Sequence, residues 1–143
     1  MIGFEVPVRW QDLDALGHVN HAVFLSYFEE QRDWWLGELL ALGGNDYVVA
    51  RIEIDYATPV SLSDGPMIVS ARCDQIGKSS ITISAVMRTQ KGELCASSRT
   101  VIVLWDDETG RSRPLSATER AVLDVVAMSD DGEAKAISPT TSS

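Results

Sequence analysis

The spacing of hydrophobic residues changes along the chain and divides it into a helical part and an alternating part. From residue 21 to about residue 42, the large apolar residues recur at helical spacing and form one broad arc. They are Val23, Phe24, Tyr27, Phe28, Trp34, Trp35, Leu39 and Leu42. Gln31 and Glu38 project within this arc, so each is expected to need a polar partner or a route to water. Residues 48–105 then alternate between apolar and polar positions, which is typical of strands that bury one face, and Ile52, Ile54 and Tyr56 are predicted to share such a face.

Local signals place the ends of these elements. Asn20 is a favoured helix N-cap, and the glycines at 43 and 44 predict that the helix ends there. A short strand is predicted over residues 6–10, before the loop that leads into the helix. Further strands are predicted over residues 48–60, 67–76, 81–90 and 93–105. Short turns join these strands, which favours an antiparallel meander.

These elements predict one α+β domain. A long apolar helix and an antiparallel sheet bury both of their apolar faces only when the sheet curls around the helix. Ser116 and Glu119 form a capping box that predicts a short helix ending near Met128. The remaining residues are small, polar and acidic, so we expect them to be disordered. The predicted organisation is therefore a single domain over residues 1–128, followed by a disordered tail over residues 129–143.

Charge and composition exclude several classes of function. The net charge of −9 and the lack of a basic cluster argue against a nucleic-acid partner. No apolar run is long enough to span a membrane, and the N-terminus lacks the pattern of a signal peptide. A cytoplasmic protein with no membrane partner is therefore expected. Cys73 and Cys95 lack C-x-x-C spacing and are expected to be buried free thiols.

Candidate chemistry is concentrated in the loop before the long helix. This loop contains two carboxylates, Asp12 and Asp14, and two histidines, His18 and His21. A carboxylate in a loop that enters a helix can lie beside the N–H groups of the first turn, which carry partial positive charge. A nucleophile or base beside such donors is suited to attack on an acyl carbonyl. Because Asp12 and Asp14 are two residues apart in an extended loop, they are expected to point the same way and to compete for this role.

The loop and helix together resemble a known family. The pattern Asp12-x-Asp14-x-x-Gly17-His18-Val19-Asn20-His21, followed by Phe24-Leu25-x-x-Phe28-Glu29-x-x-Arg32, resembles the N-terminal signature of hot-dog-fold acyl-CoA thioesterases, which include the 4-hydroxybenzoyl-CoA thioesterases. The likeness continues through residues 52–59 and 76–80. It implies a long helix wrapped by a curved antiparallel sheet, a homodimer or homotetramer paired through its sheets, active sites at the dimer interface, and no cofactor or metal.

The resemblance also implies roles for individual residues. Asp14 matches the catalytic carboxylate, acting as nucleophile or general base, and His21 matches the residue whose backbone N–H polarises the thioester carbonyl. Asn20 is expected to contribute to substrate binding. The turn of Gly77, Lys78 and Ser79 resembles one that contacts the nucleotide end of coenzyme A, with Lys78 as a phosphate partner. Phe24 stands where many relatives have tyrosine, so the acyl preference stays open, as does a role for the His21 side chain.

The predicted function is hydrolysis of an acyl-CoA thioester to a carboxylic acid and free coenzyme A. One alternative is a non-catalytic module that binds acyl-CoA or acyl-carrier protein. A metal site built from the two aspartates and two histidines, and a hot-dog hydratase, are weaker alternatives, and Glu29 and Glu30 are other candidate catalytic carboxylates. His18 is expected to hydrogen-bond the loop. Four helix aromatics either line an acyl tunnel or fill the core: Tyr27, Phe28, Trp34 and Trp35.

Overall fold

The computed structural model describes residues 2–128 and 135–137, which form two helices and one seven-stranded sheet. The strand order is β2-β5-β4-β3-β1-β7, and β6 pairs with β5. The elements in chain order are β1 (Ile2–Val6), α1 (Val23–Leu40), β2 (Tyr47–Tyr56), β3 (Met67–Ile76), β4 (Ser80–Arg88), β5 (Leu94–Asp106), β6 (Arg111–Ser112), α2 (Ala117–Met128) and β7 (Lys135–Ile137).

The meander prediction holds for three strands and is wrong for β2. Strands β3, β4 and β5 pair with their neighbours in sequence, all antiparallel. Strand β2 instead pairs with β5, from Tyr47 opposite Leu104 to Tyr56 opposite Ala96. The connection after β2 does not fold back as a tight hairpin, because it passes the start of α1, where Val19 N–H donates to the Val60 carbonyl (2.7 Å). This leaves β2 at one edge of the sheet.

The first strand lies earlier than predicted. It covers Ile2–Val6 rather than residues 6–10, and it pairs antiparallel with β3. Phe4 and Val6 are buried in the core, whereas Trp10 is 78% exposed and belongs to a short 3-10 turn, so the alternation at 6–10 does not mark a core face. The expectation of a disordered tail is wrong at residues 135–137, which form β7 beside β1. The other residues of that tail lie outside the described part of the chain.

Helix α1 begins two residues later and ends two residues earlier than predicted. The Asn20 carbonyl accepts the N–H of Val23 (2.9 Å), so the chain first makes a turn at residues 20–23 and then enters the helix. At the other end, Ala41 adopts a left-handed conformation (φ 55°), and its N–H donates to the Gly37 carbonyl (3.1 Å). The helix therefore ends before the two glycines that were expected to stop it.

The aromatic residues of α1 fill the core. Tyr27, Phe28 and Trp35 are buried, and Trp34 stacks on Phe4 with ring centroids 5.0 Å apart. None of them lines the cavity described below, and the burial of Tyr27, Phe28 and Trp35 is what core filling requires. The buried side of α1 also includes polar residues. Arg32 and Gln31 are both buried, and the Arg32 Nε and Gln31 Nε2 atoms have no hydrogen-bond partner in the described residues. Glu38 reaches water.

Strand β2 has an apolar face that the helix leaves open. Ile52, Ile54 and Tyr56 share one face, as the alternation predicted, and they lie opposite the buried residues Thr100, Ser98 and Ala96 of β5. This is the side of the sheet that carries the core. Ile52 is nevertheless 37% exposed and Tyr56 50% exposed. The edge of the sheet therefore presents apolar side chains and unpaired backbone groups together.

The capping box predicted for α2 is confirmed. Glu119 N–H donates to Ser116 Oγ (3.1 Å), and Ser116 N–H donates to Glu119 Oε1 (2.8 Å). The Arg113 guanidinium also donates twice to the Glu119 carboxylate, at 2.8 Å each. These bonds place α2 so that Leu123 is buried in the core.

Of the two cysteines, Cys95 is buried, as expected, whereas Cys73 is only half-buried. Burial raises the pKa of the Cys95 thiol, which keeps it protonated and unreactive. Neither helix of the described residues is long and apolar enough to cross a membrane.

Candidate active site

The aspartate-rich loop is closed by its own backbone. Asp14 N–H donates to the His18 carbonyl (2.7 Å), and Gly17 N–H donates to the Asp14 carbonyl (3.1 Å). Gly17 has a φ of +79°, a conformation that favours glycine. The His18 backbone also bridges to Ser61, which ties the loop to the connection after β2. As expected, His18 takes part in the loop's hydrogen bonds, but it does so through its backbone.

The Asp14 carboxylate is held by one oxygen and free at the other. Its Oδ1 accepts the N–H groups of Leu16 (2.9 Å) and His18 (3.2 Å). Its Oδ2 accepts no hydrogen bond from any residue that the structure describes. Because two donors fix one oxygen, the orientation of the carboxylate is set while the second oxygen stays available.

Asp12 points elsewhere, so the expectation that the two carboxylates share a direction is wrong. Asp12 Oδ2 accepts the Tyr27 hydroxyl (2.6 Å) and the Arg9 N–H (3.1 Å). The cause is the 3-10 turn at Trp10–Asp12, which replaces the extended backbone assumed for this segment. Burial of Tyr27, and then its hydrogen bond to Asp12, raise the pKa of the tyrosine. Tyr27 therefore stays a protonated donor, and Asp12 supports the loop.

Asp14 and His21 line one cavity of about 370 Å³. The cavity lies where the loop, the start of α1 and the end of β2 meet. Its wall mixes ionisable, polar and apolar residues: Asp14, His18, Val19, His21, Phe24, Tyr56, Ala57, Thr58 and Pro59. The structure thus brings together the two residues that the sequence assigned to catalysis, and it adds the His18 side chain to the wall.

Some backbone N–H groups at the start of α1 have hydrogen-bond acceptors among the described residues, and that of His21 has none. Asn20 uses its side-chain oxygen to accept the Ala22 N–H (2.9 Å) and its carbonyl to accept the Val23 N–H. The His21 N–H donates to no acceptor among the described residues. It is therefore a free backbone donor at the positive end of the helix, on a residue that lines the cavity.

Asn20 was expected to contribute to substrate binding. The structure commits its amide oxygen to capping the turn, and Asn20 is not among the residues that line the cavity.

Tyr56 is a cavity residue that the sequence analysis missed. Its ring lies 5.1 Å from that of Phe24 and 6.3 Å from that of His21, and its hydroxyl donates to the His21 carbonyl (2.7 Å). The alternation placed Tyr56 on the core face of β2. Only the pairing of β2 with β5 brings the end of that strand to the start of α1, and no local pattern signals such a pairing.

The turn of Gly77, Lys78 and Ser79 does not join this cavity within one chain. Ser80, next to the turn, lies opposite Val103 of β5, whereas Tyr56 lies opposite Ala96. Positions 96 and 103 are separated by about 23 Å at the usual rise of about 3.3 Å per residue.

The same turn is anchored to α2, and its lysine is free to reach water. Arg120 donates to the Gly77 carbonyl (2.9 Å), and Leu115 N–H donates to the Lys78 carbonyl (2.9 Å). The Lys78 side chain itself is exposed.

The alternative carboxylates on the helix lie outside the cavity. Glu30 forms a half-exposed ion pair with Arg9 (3.3 Å), and Glu29 lines a second cavity of about 270 Å³ at the other end of β2. Within the described residues, no group of three or more histidine, cysteine, aspartate or glutamate side chains could hold a metal ion. Nothing in this region therefore favours the two-histidine metal site.

Comparison with known proteins identifies the family. The family model of the thioesterase-like superfamily matches residues 8–131, which is most of the chain. The chain belongs to this superfamily. Among curated relatives, the acyl-CoA thioesterase YbgC of Haemophilus influenzae is 32% identical over 123 residues, covering 80% of this chain and 88% of YbgC. The long-chain acyl-CoA thioesterase FadM of Escherichia coli is 29% identical over 127 residues, covering 84% of this chain and 95% of FadM.

Solved structures agree on the fold of this thioesterase-like protein. A thioesterase from Thermus thermophilus, whose crystal structure contains coenzyme A and Zn, matches with a TM-score of 0.72 and 36% identity. That match covers 89% of this chain and 94% of the other. A predicted thioesterase from Bacillus stearothermophilus matches with a TM-score of 0.78 and 26% identity, covering 87% of this chain and 95% of the other. The hot-dog fold implied by the resemblance is therefore confirmed, as is the thioesterase family.

Proposed function

We propose that this protein hydrolyses acyl-CoA thioesters to a carboxylic acid and free coenzyme A. Membership of the thioesterase-like superfamily and the names of FadM and YbgC support the reaction class and the coenzyme A substrate. The observation that carries the proposal is one cavity lined by both Asp14, which has an oxygen without a hydrogen bond, and His21, which has a backbone N–H without an acceptor among the described residues. A fixed carboxylate and an unpaired backbone donor are the two groups that thioester cleavage needs.

The chemistry follows from those two groups. In one route, Asp14 Oδ2 attacks the thioester carbon, the C–S bond breaks, and coenzyme A leaves as a thiolate. Water then hydrolyses the resulting anhydride and regenerates the carboxylate. In the other route, Asp14 accepts a proton from water as the hydroxide attacks the carbonyl carbon. The C–S bond then breaks, and coenzyme A leaves as the thiol with the proton that Asp14 returns. In both, the carbonyl oxygen becomes negative in the transition state, where the His21 N–H stabilises it.

Replacing Asp14 with asparagine tests the proposal. Asp14→Asn keeps the oxygen that accepts the loop N–H groups but removes the basic, nucleophilic oxygen. We expect kcat for thiol release from a panel of acyl-CoAs to fall several hundredfold, because about 3–4 kcal/mol of transition-state stabilisation is lost. Glu108→Gln, which neutralises an exposed carboxylate in a distant turn, is the control and should retain full activity. Full activity in Asp14→Asn would refute the role of this residue.

Further measurements separate the remaining alternatives. After a single turnover in ¹⁸O-labelled water, label in the Asp14 carboxylate shows that Asp14 is the nucleophile and that water opens the anhydride at the aspartyl carbon. Label in the product acid alone fits either the base route or water attack at the substrate acyl carbon, and trapping the anhydride with hydroxylamine separates those two. Tight binding of acyl-CoA or acyl-carrier protein without thiol release from the native protein would favour the non-catalytic module instead.

We further propose that the protein acts as a homodimer, or as a homotetramer built from such dimers, joined through β2. This strand lies at the edge of the sheet and exposes Val49, Ile52 and Tyr56 on its core-side face. Long apolar edge strands expose backbone groups that pair readily with another strand. A two-fold pairing of β2 with its copy would satisfy those groups and cover the apolar side chains.

Such a dimer would also give Lys78 a role in binding coenzyme A. Ser79 accepts the N–H of Leu104, which lies opposite Tyr47, so the turn at 77–79 belongs to the Tyr47 end of β2. Antiparallel pairing of two β2 strands sets the Tyr47 end of one beside the Tyr56 end of the other. Lys78 of the second copy would then lie near the cavity of the first copy. There it would bind a phosphate of the coenzyme A held in that cavity.

A further inference from the structure

Tyr56 connects the edge strand to the backbone of the helix start. It is the last residue of β2, it lines the cavity, and its hydroxyl donates to the His21 carbonyl at 2.7 Å. Its ring packs against Phe24 at 5.1 Å and meets the His21 ring nearly edge-on, with an interplanar angle of 79°. The aromatic contacts fix the ring, so the position of the hydroxyl is fixed as well.

The Tyr56 hydroxyl bonds to the turn that contains the free N–H of His21. Residues 20–23 form that turn, and Asn20 fixes two of its N–H groups, those of Ala22 and Val23. Among the described residues, Tyr56 is the donor that fixes the His21 carbonyl. The carbonyl and the N–H of His21 belong to two different peptide groups that meet at the His21 Cα. The hydrogen bond from Tyr56 to the carbonyl therefore anchors that Cα, which is one end of the peptide that carries the N–H.

We propose that Tyr56 is a positioning residue for thioester cleavage. Its hydroxyl holds the His21 backbone in the orientation in which the His21 N–H points at the thioester carbonyl. Tyr56 does not touch the reacting atoms. This inference rests on the proposed function, because it needs the His21 N–H to be the donor that stabilises the oxyanion.

Replacing Tyr56 with phenylalanine isolates the hydroxyl, because the ring contacts stay. We expect kcat for acyl-CoA hydrolysis to fall about 10- to 100-fold, since small displacements of a catalytic group have effects of that size. KM should change by less than about threefold, because the cavity wall keeps its shape. Ser84→Ala, which removes a hydroxyl that donates to Asp74 on the opposite face of the sheet, is the matched control and should keep its kcat. Thermal unfolding of both variants separates the loss of a hydrogen bond from loss of fold.

A spectroscopic measurement tests the same inference without turnover. In an Asp14→Asn background, infrared difference spectra of a bound acyl-CoA labelled with ¹³C at the carbonyl report how strongly that carbonyl is polarised. We expect the lowering of the C=O stretch to shrink when Tyr56→Phe is added. An unchanged stretch, or an unchanged kcat in the single variant, overturns the positioning role.

The two proposals fail in distinguishable ways. If Asp14→Asn abolishes hydrolysis while Tyr56→Phe leaves kcat intact, only the inference about Tyr56 fails. If Asp14→Asn stays fully active, the assigned chemistry fails first.

Discussion

His21 has two groups that could act in the cavity, its imidazole and its backbone N–H. Alanine removes the imidazole alone, whereas proline removes both, so the two variants together separate the two groups. The sequence left open which of them acts. In the structure the His21 N–H donates to no acceptor among the described residues, and His21 is an exposed residue that lines the cavity, so both groups are available. His21 follows Asn20 in a turn closed by the Val23 N–H, and proline is well tolerated at that position of a turn.

We therefore expect His21→Pro to lower kcat by about 100- to 1,000-fold, because it deletes the donor. His21→Ala keeps the donor and should lose far less activity. Steady-state assays on an acyl-CoA, with thermal unfolding to confirm that both variants fold, make the comparison. A folded proline variant with normal kcat would mean that neither group of His21 acts in catalysis. An alanine variant as inactive as the proline variant would mean that the side chain acts instead of the backbone.

At the scale of single elements, α2 matters because it anchors the turn that carries Lys78. Arg120 of α2 donates to the Gly77 carbonyl, and the N-terminus of α2 is held by Ser116, Glu119 and Arg113. The hydrogen bonds from Arg113 lower the pKa of Glu119 from its ordinary 4.5 to about 2, against the opposing effect of burial. Because the pKa is lower in the folded state, the stabilisation is complete above about pH 4.5 and disappears as the pH falls through about 2.

Replacing Glu119 with glutamine should therefore destabilise the protein at neutral pH but progressively less in acid. We expect the free energy of unfolding to fall by about 1–2 kcal/mol at pH 7, the usual value of a charge-assisted hydrogen bond and helix cap. The difference from the native protein should shrink between pH 4.5 and pH 2. Urea unfolding at several pH values measures it, with Glu108→Gln as the control. A difference that is constant with pH would show that the charge of Glu119 is not what stabilises α2.

At the scale of the whole molecule, the proposed dimer makes each active site from two chains. Asp14 would come from one subunit and the Lys78 turn from the other, because the two lie at opposite ends of β5 within one chain. Two variants, each defective in one half of the site, should then complement each other.

Asp14→Asn and Lys78→Glu chains that are unfolded and refolded together should regain activity. Random pairing makes half of the dimers mixed, and one of the two sites in each mixed dimer is intact, so about a quarter of native activity is expected. The assay is run at acyl-CoA concentrations below the native KM, where loss of the phosphate contact matters most. Sedimentation confirms the dimer. Activity no greater than the average of the two separate variants would place each site within a single chain.

Much of this protein could be predicted from local patterns, because those patterns record interactions between near neighbours. The 3.6-residue period of α1 and the two-residue period of β3 depend on which face of the element is buried. The capping box of α2 depends on residues three positions apart, and it was confirmed. The position of Asp14 near the start of α1 also follows from closeness in sequence, because Asp14 precedes Val23, the first residue of α1, by nine residues.

The tertiary structure decided what depends on distant partners. The spacing of Asp12 and Asp14 predicted a shared direction, and only the resemblance favoured Asp14. Contacts with Tyr27 and with the loop backbone show that the two carboxylates point different ways. Tyr56 became a site residue because β2 pairs with β5, and that register sets its position. The turn at residues 77–79 lies far from the cavity for the same reason. Sheet register is fixed by the burial of many side chains at once, so no short stretch of sequence contains it.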